Sequence, residues 1–313
     1  MDIVDEEEEQ LERNFENELI KMGCPLIPEN EIIKEKQIGE GSFGKVYKGI
    51  YKDKEIAIKK IKLSEKVPET YSTLINEIKV IQKADTPEIP KFYGLMKKNG
   101  CYRLIFEYIS GKTFKEAYPS MNYEEKLISL YKLSKILESL HSKLIIHRDI
   151  KPSNVMIKED GTLKLIDFGV SKIASHTSTY TKIQKGTVPY ISSEQFQIDL
   201  EKYQNPNIGD VKPVKISTKS DIWSLGVMIS EMFSGVLPYS NINNKNIITN
   251  DFLIMKRLMN KMPFPIPNNL DDEIKEIVQK ATMVDVDARA SAKDIREMLE
   301  KLIKEKNIDI KDK

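Results

Sequence analysis

The spacing of apolar and polar positions changes period several times along the chain, and each change marks an element. Over 54–61 the period is two, so Ile56 and Ile58 share one face of a strand and Ala57 and Lys59 the other. Over 71–83 it lengthens to that of a helix, with Leu74, Ile75, Ile78 and Ile81 on one stripe and Glu77 beside it. A second helix is predicted over 123–143, opened by Asn122 and Glu125 in capping-box spacing and lined by Leu127, Leu130, Leu133, Leu137 and Leu140. Residues 221–233 are apolar nearly all round, as in a helix buried on every side. Three further helices are predicted over 251–260, 271–283 and 291–304, the last with Ser291 and Asp294 in capping spacing. Strands are predicted over 31–38, 46–51, 104–106, 155–157 and 162–166.

At the N-terminus, Leu11, Phe15 and Leu19 recur at helical spacing behind the acidic run Glu6-Glu7-Glu8-Glu9. Two readings stay open for it: a helix docked on the body of the protein or on a partner, and a solvated, frayed tail. Cys24-Pro25 and Ile27-Pro28 break any helix there, so residues 1–30 read as an acidic extension before the folded domain. The Lys-rich end, 304–313, reads as a second frayed tail.

Composition narrows the class. A chain of 313 residues with 40% apolar positions is globular and long enough for two lobes. Its net charge of +1 supplies no global basic field, so nucleic acid is not an expected partner. No apolar run reaches the length of a membrane span, and an acidic start is unlike a secretory signal. A cytoplasmic or nuclear location is expected. Cys24 and Cys101 offer neither a disulfide framework nor metal-ligand spacing.

Three stretches carry chemistry. Gly39-Glu40-Gly41-Ser42-Phe43-Gly44-Lys45-Val46 lies between two predicted strands, and glycines let backbone amides approach phosphate oxygens. Dinucleotide folds share this spelling but start a helix inside it; here 45–51 alternates like a strand, which makes the motif a flap over phosphates. Lys59 follows one strand later. His147-Arg148-Asp149-Ile150-Lys151-Pro152-Ser153-Asn154 forms an irregular loop between a helix and a strand. It offers a carboxylate to take a hydroxyl proton, an amide oxygen for a hard cation, and a positive charge between them, which phosphoryl transfer from a nucleoside triphosphate needs. Asp167-Phe168-Gly169 then ends a strand with a carboxylate able to turn toward a metal.

The eight-residue loop matches the catalytic loop of the eukaryotic protein kinases position for position, and the chain resembles a Ser/Thr protein kinase domain over about 31–303. The resemblance implies an α+β, two-lobed fold. It has a small antiparallel-sheet lobe with one regulatory helix (31–105), a hinge (106–111) and a larger, mostly helical lobe (112–303). It implies ATP with Mg²⁺, or Mn²⁺ in its place, protein substrates and an upstream activating kinase. Asp149 would be the base, Lys59 held by Glu77 would position phosphates, Lys151 would offset γ-phosphoryl charge, and Asn154 and Asp167 would hold the metal. Nucleotide contacts would come from Ile38, Gly39, Gly41, Ser42, Gly44, Val46, Ala57, Lys59, Phe106, Glu107, Ile109 and Met156.

Further expectations come from the same resemblance. Ser175, Thr177, Ser178, Thr179, Tyr180 and Thr181 would lie in an activation loop, with Arg148 the cation that engages a phosphate there and Thr181 the first choice of site. Residues 186–194 would be the peptide-binding platform. They depart from the family in Ser192-Ser193, where Ala-Pro is usual, but keep Glu194 and its expected partner Arg289. Asp221 would anchor the catalytic loop from below. Residues 197–218 are longer and more polar than the family has there and read as a surface insertion; docking is expected through it or through 1–20. No arginine follows Thr187, as it does in proline-directed kinases, and Lys112 and Lys115 stand where an acidic cluster would read basic substrates. Lys151-Pro152-Ser153 is the Ser/Thr spelling. The rival readings are a pseudokinase scaffold that binds partners without phosphotransfer, and a small-molecule kinase of the same fold.

Overall fold

The computed structural model describes residues 3–41, 44–61, 68–98, 101–174, 178–181, 187–195, 214–240 and 251–310. The chain divides into two compact units, Met1–Gly111 and Lys112–Lys313.

The first unit is built on five antiparallel strands, β1 (Ile32–Gly41), β2 (Gly44–Tyr51), β3 (Lys54–Ile61), β4 (Phe92–Lys98) and β5 (Cys101–Glu107), in the order β1-β2-β3-β5-β4. Register pairs Val46 with Lys59, Ala57 with Phe106, and Lys59 with Leu104, so these five share one face. On the other face Ile56, Ile58 and Ile105 are fully buried with Ile27 and Met96. Two helices belong to this unit, α1 (Ile3–Lys21) and α2 (Pro68–Ala84). Their apolar stripes join Leu95, Tyr102 and Leu104 of the sheet in a second core that holds Phe15, Leu19, Leu74 and Ile78. Full burial of each such side chain contributes about 1.5–3 kcal/mol.

Two expectations for this unit need correction. The glycine motif is mostly strand, with Gly41 paired to Gly44 at the end of the β1–β2 hairpin; Ser42 and Phe43 lie outside the described residues. The domain boundary expected at residue 30 is the second: the N-terminal helix follows the docked reading, with Phe15 and Leu19 buried, and the chain after it does not break away there. Leu95 N–H donates to Pro25 O at 2.8 Å and Ile27 N–H to Leu95 O at 2.7 Å, so this segment runs along β4. Gly94 makes the approach feasible: it has φ 145°, and a Cβ there would lie 2.3 Å from Pro25 O.

In the second unit, β6 (Lys112–Thr113) and α3 (Phe114–Ala117) lead into α4 (Tyr123–Ser142), which opens with the capping box of Asn122 and Glu125. Four short strands follow, β7 (Ile145–Ile146), β8 (Val155–Ile157), β9 (Leu163–Leu165) and β10 (Lys172–Ile173), with the catalytic-type loop between β7 and β8. β6, β8 and β9 form one small sheet and β7 pairs with β10. Then come β11 (Ser178–Thr181), β12 (Val214–Ser217), α5 (Thr218–Ser234), α6 (Asp251–Met259), α7 (Asp272–Ala281) and α8 (Ala292–Glu305). Helix α5 is buried all round, including Trp223, and crosses α7 at Gly226, where a Cβ would come 2.6 Å from that of Ala281. Helix α8 packs on α4, and its Ile295, Leu299, Leu302 and Ile303 are buried.

Three polar stretches are more ordered in backbone than their composition suggests. β11 pairs with β12, so the segment expected to be loop alone is partly strand. Residues 214–217 do not belong to a surface insertion, because Ile216 is buried and Ser217 caps α5; the docking expectation on 197–213 lies outside the described residues. The expected C-terminal tail begins inside α8, whose end is closed by Asn307 N–H to Lys304 O and Ile308 N–H to Ile303 O.

Candidate active site

In the first unit the candidate site is built around one ion pair. Lys59 stands on the α2-facing side of β3, and Glu77 lies on α2 between the buried Leu74 and Ile78; Lys59 Nζ meets Glu77 Oε1 at 2.7 Å. Both side chains are largely buried, so the ammonium has a fixed position and a directional, charge-assisted bond. Ile38 is exposed, while Val46, Ala57, Phe106 and Glu107 are partly buried and Ile109 is buried. Gly39 pairs with Val46 and Gly41 with Gly44 near the tip of the hairpin. Phe106 packs against Phe92 at 5.5 Å between ring centroids. In the expected hinge, Glu107 N–H is committed to Lys91 O and Tyr108 N–H to Glu55 O.

In the second unit the loop 147–154 is held from beneath by Asp221, a fully buried carboxylate in the first turn of α5. It accepts the backbone N–H groups of His147 at 2.9 Å and Arg148 at 2.8 Å, and lies 2.9 Å from His141 Nε2. Burial pushes its pKa up, but the His141 bond, the nearby histidines and the Arg148 N–H outweigh that and hold it below the usual carboxylate value. With its amide pinned, Arg148 sits at φ 70°, a left-handed conformation that costs about 1–3 kcal/mol without such support. Its guanidinium donates to Val170 O at 3.1 Å; burial lowers its pKa to about 10, and it stays charged at neutral pH.

Above that anchor the reactive groups converge. Asp149 Oδ2 is 2.7 Å from Lys151 Nζ and accepts from Asn154 Nδ2 at 2.8 Å; Asp149 Oδ1 accepts from Thr187 Oγ1 at 2.9 Å. Lys151 Nζ also donates to Thr187 Oγ1 at 2.6 Å. The Asn154 amide is oriented by donating to both the carbonyl and the carboxylate of Asp149, which turns its Oδ1 away from them. Asp167 follows β9 at φ 67°, with Gly169 N–H 3.4 Å from its Oδ1. One amide oxygen and one carboxylate are a hard-oxygen donor pair that suits Mg²⁺, which keeps its other positions for phosphates and water. Met156, the expected nucleotide contact in this unit, is partly buried on β8.

The platform residues are locked by a second network. Arg289 clamps Glu194 through two bonds, Nη1 to Oε1 at 2.8 Å and Nη2 to Oε2 at 3.0 Å, and Ser224 Oγ donates to Tyr190 O at 2.7 Å. Glu231, buried on α5, takes the hydroxyl of Tyr118 at 3.0 Å on one oxygen and that of Tyr190 on the other. Burial and the Glu231 charge push the Tyr118 phenol up to about 12. Sequence reasoning missed Thr187 as a partner of Asp149, His141 as a partner of Asp221, and the Tyr118–Glu231–Tyr190 group. Each joins residues far apart in the chain, and none has a local spacing signal.

His147 has a fixed tautomer. Its Nδ1 accepts the Asp149 N–H at 3.3 Å, so that atom carries no proton, and Nε2 must donate to Ile166 O at 3.2 Å. The ring also packs edge-on against Phe168. Burial lowers its pKa below 6.5, outweighing the nearby aspartates. The unfolded chain therefore takes up a proton that the folded one refuses, and stability falls as pH drops below about 6.5. Asp221 and Glu194 are both held below their usual values, so their contributions are lost only at more acid pH. Melting temperature should thus decline between pH 6.5 and 5, and His147→Phe should flatten that decline; an unchanged slope in the variant would contradict the assignment.

Comparison with known proteins agrees with this geometry. The protein kinase domain model matches residues 32–299. Mitogen-activated protein kinase kinase 2 of Arabidopsis thaliana is 30% identical, over 84% of this chain and 70% of its own length. Serine/threonine-protein kinase pakH of Dictyostelium discoideum is 30% identical over 82% of this chain, and protein kinase wis1 of Schizosaccharomyces pombe 29% identical over 80%. The alignments span only 47% and 40% of those two relatives. With an anchored Asp149 loop, a Lys59–Glu77 pair and a family match over most of its length, the chain belongs to the protein kinase domain family.

Proposed function

We propose that this protein kinase transfers the γ-phosphoryl group of ATP to serine and threonine hydroxyls of protein substrates. The observation that carries the choice of acceptor is the triangle of Asp149, Lys151 and Thr187. Thr187 belongs to the segment that would support the acceptor peptide, and its hydroxyl reaches the Asp149 carboxylate directly. A peptide lying on that segment would present a hydroxyl two bonds from its backbone, as serine and threonine do; a tyrosine hydroxyl stands several ångströms further out. The name of the Dictyostelium relative points the same way.

The roles follow from the geometry of each unit. Asp149 orients the acceptor hydroxyl and takes its proton, with Asn154 and Lys151 fixing the carboxylate. Lys151 lies close enough to offset charge that builds on the phosphoryl oxygens. Lys59, held by Glu77, fixes the other phosphates. Asn154 Oδ1 and the Asp167 carboxylate would hold Mg²⁺, which would supply positive charge to offset that of the phosphates. Main-chain groups at Glu107 and Ile109 would meet the adenine, with Ala57 and Phe106 of the same unit.

Activation is proposed to follow phosphorylation at one or more of Ser178, Thr179, Tyr180 and Thr181, with Thr181 first, through an upstream kinase. Two observations support this. These residues form β11, paired to the strand that leads into α5, and the charged Arg148 side chain bonds Val170 O at the start of the same segment. Substrates of a soluble kinase of this kind would be met in the cytoplasm or nucleus.

Two measurements test this reading. Transfer from γ-labelled ATP with Mg²⁺ to casein should place label on serine and threonine, and Asp149→Asn should lower turnover by ~10²–10⁴-fold while the protein still unfolds cooperatively. Label on tyrosine alone would overturn the acceptor assignment, and wild-type turnover in the variant would overturn the role of Asp149. Replacing Ser178, Thr179, Tyr180 and Thr181 together by residues without hydroxyls should abolish the gain produced by pretreatment with an activating kinase; undiminished activation would refute control at these sites.

A further inference from the structure

We propose that α1 is a built-in positioning element: Phe15, wedged between α2 and the sheet, holds α2 where Glu77 pairs with Lys59 and thereby sets turnover. The catalytic half of this inference rests on the phosphotransfer reading above; the mechanical half does not.

The contacts lie within one unit. Phe15 is 4.8 Å from the Tyr71 ring of α2 and 4.8 Å from the Tyr102 ring of β5, edge-on to the latter, while Tyr71 and Tyr102 are 6.4 Å apart. One side chain therefore touches both the helix and the sheet that α2 must pack upon, in geometries that aromatic rings favour. Leu19, fully buried, continues the wedge into the core shared with Leu74 and Ile78. Glu77 is flanked along α2 by those two residues, so a shift of the stripe they form carries the Glu77 carboxylate with it. Lys59 sits on β3, a separate element from α2, and the distance between the pair depends on how α2 is seated on the sheet.

Polar contacts fix the rim of the wedge on both sides. Tyr102 Oη donates to Glu16 Oε1 at 2.8 Å, and Lys97 Nζ pairs with Glu12 and Glu16 at 3.0 Å each, which ties α1 to the sheet. Lys97, followed by the Tyr102 hydroxyl, lowers the Glu16 pKa despite some burial, as expected for a carboxylate that stays charged in its docked place. Lys79 Nζ pairs with Glu18 at 3.1 Å, and Gln82 Nε2 donates to Met22 O at 3.3 Å, which ties the chain to α2 beyond Glu77. α1 thus contacts α2 at Tyr71 and Lys79 while it contacts β4 and β5 at Lys97 and Tyr102. With α1 in this place, the Lys59–Glu77 pair is closed at 2.7 Å. The sign follows: docking of α1 accompanies the paired state, and its loosening should open the pair.

The test uses the full chain as wild type, Phe15→Ala, Phe15→Leu and Ile27→Ala. Ile27 lies in the other core of the same unit and serves as a destabilised control. Amide hydrogen exchange is followed along 71–84, and γ-labelled phosphate transfer to casein is followed for kcat and KM. Phe15→Ala should speed exchange along α2 and lower kcat about tenfold, as a paired population reduced to about a tenth requires, with KM for casein unchanged. Phe15→Leu keeps apolar bulk and remains folded if alanine does not; it should show the same effects at smaller size. Ile27→Ala should lower the melting temperature while α2 exchange and kcat stay within about twofold of wild type. Unchanged α2 exchange in both Phe15 variants would overturn the proposal. So would faster exchange without loss of kcat, or a kcat loss in Ile27→Ala equal to that of Phe15→Ala. If wild type transfers no phosphate but Phe15→Ala still loosens α2, the phosphotransfer reading falls and the mechanical role stands.

Discussion

A single buried carboxylate carries the geometry of the second unit. Asp221 has no exposure to solvent and satisfies the N–H groups of two consecutive residues of the reactive loop. An uncompensated buried carboxylate would be strongly unfavourable, so the loop and the carboxylate each need the other. Because His147 and Arg148 are held from below, Arg148 can adopt its left-handed conformation and Asp149 can present its carboxylate to Lys151, Asn154 and Thr187. The neutral His147 ring adds the next tie, accepting from the Asp149 amide and donating to Ile166, immediately before Asp167. The proposed base and one proposed metal ligand are therefore linked through one imidazole.

The first unit solves a different problem with a different kind of contact. Its ion pair joins a strand to a helix, and nothing covalent fixes their separation. Apolar packing does that work: Leu74 and Ile78 seat α2 on the sheet, and α1 covers the outer side of the same core. The N-terminal acidic residues that look like a solvated tail by composition are, from Glu12 to Glu18, partners for Lys97, Tyr102 and Lys79.

Much of this was legible from local pattern. The period-two run placed β3, with Ile56 and Ile58 inward and Lys59 opposite them, and the capping spacings at Asn122 and Ser291 located the starts of α4 and α8. The partnerships of Lys59 with Glu77 and of Glu194 with Arg289 were implied by the resemblance to protein kinases and are present in the structure. What could not be read depends on non-local partners. β4 was not anticipated, since its Gly94 would weaken an isolated strand and is needed only because Pro25 passes against it. The stripe of Leu11, Phe15 and Leu19 indicates a helix but not what covers it. β11 is rich in hydroxyls and reads as loop until β12, far along the chain, supplies its hydrogen bonds. The Tyr118–Glu231–Tyr190 group joins three elements and has no spacing to betray it.

The most direct test of this account is phosphate transfer by Asp221→Asn, measured beside wild type with γ-labelled ATP and casein. Asparagine keeps the size of the side chain but removes the charge and turns one acceptor into a donor facing groups that already donate. Unfolding should stay cooperative while turnover falls about 10²-fold, the scale of a small misplacement of reacting groups. Turnover equal to wild type would show that the loop holds its geometry without Asp221 and would contradict the account.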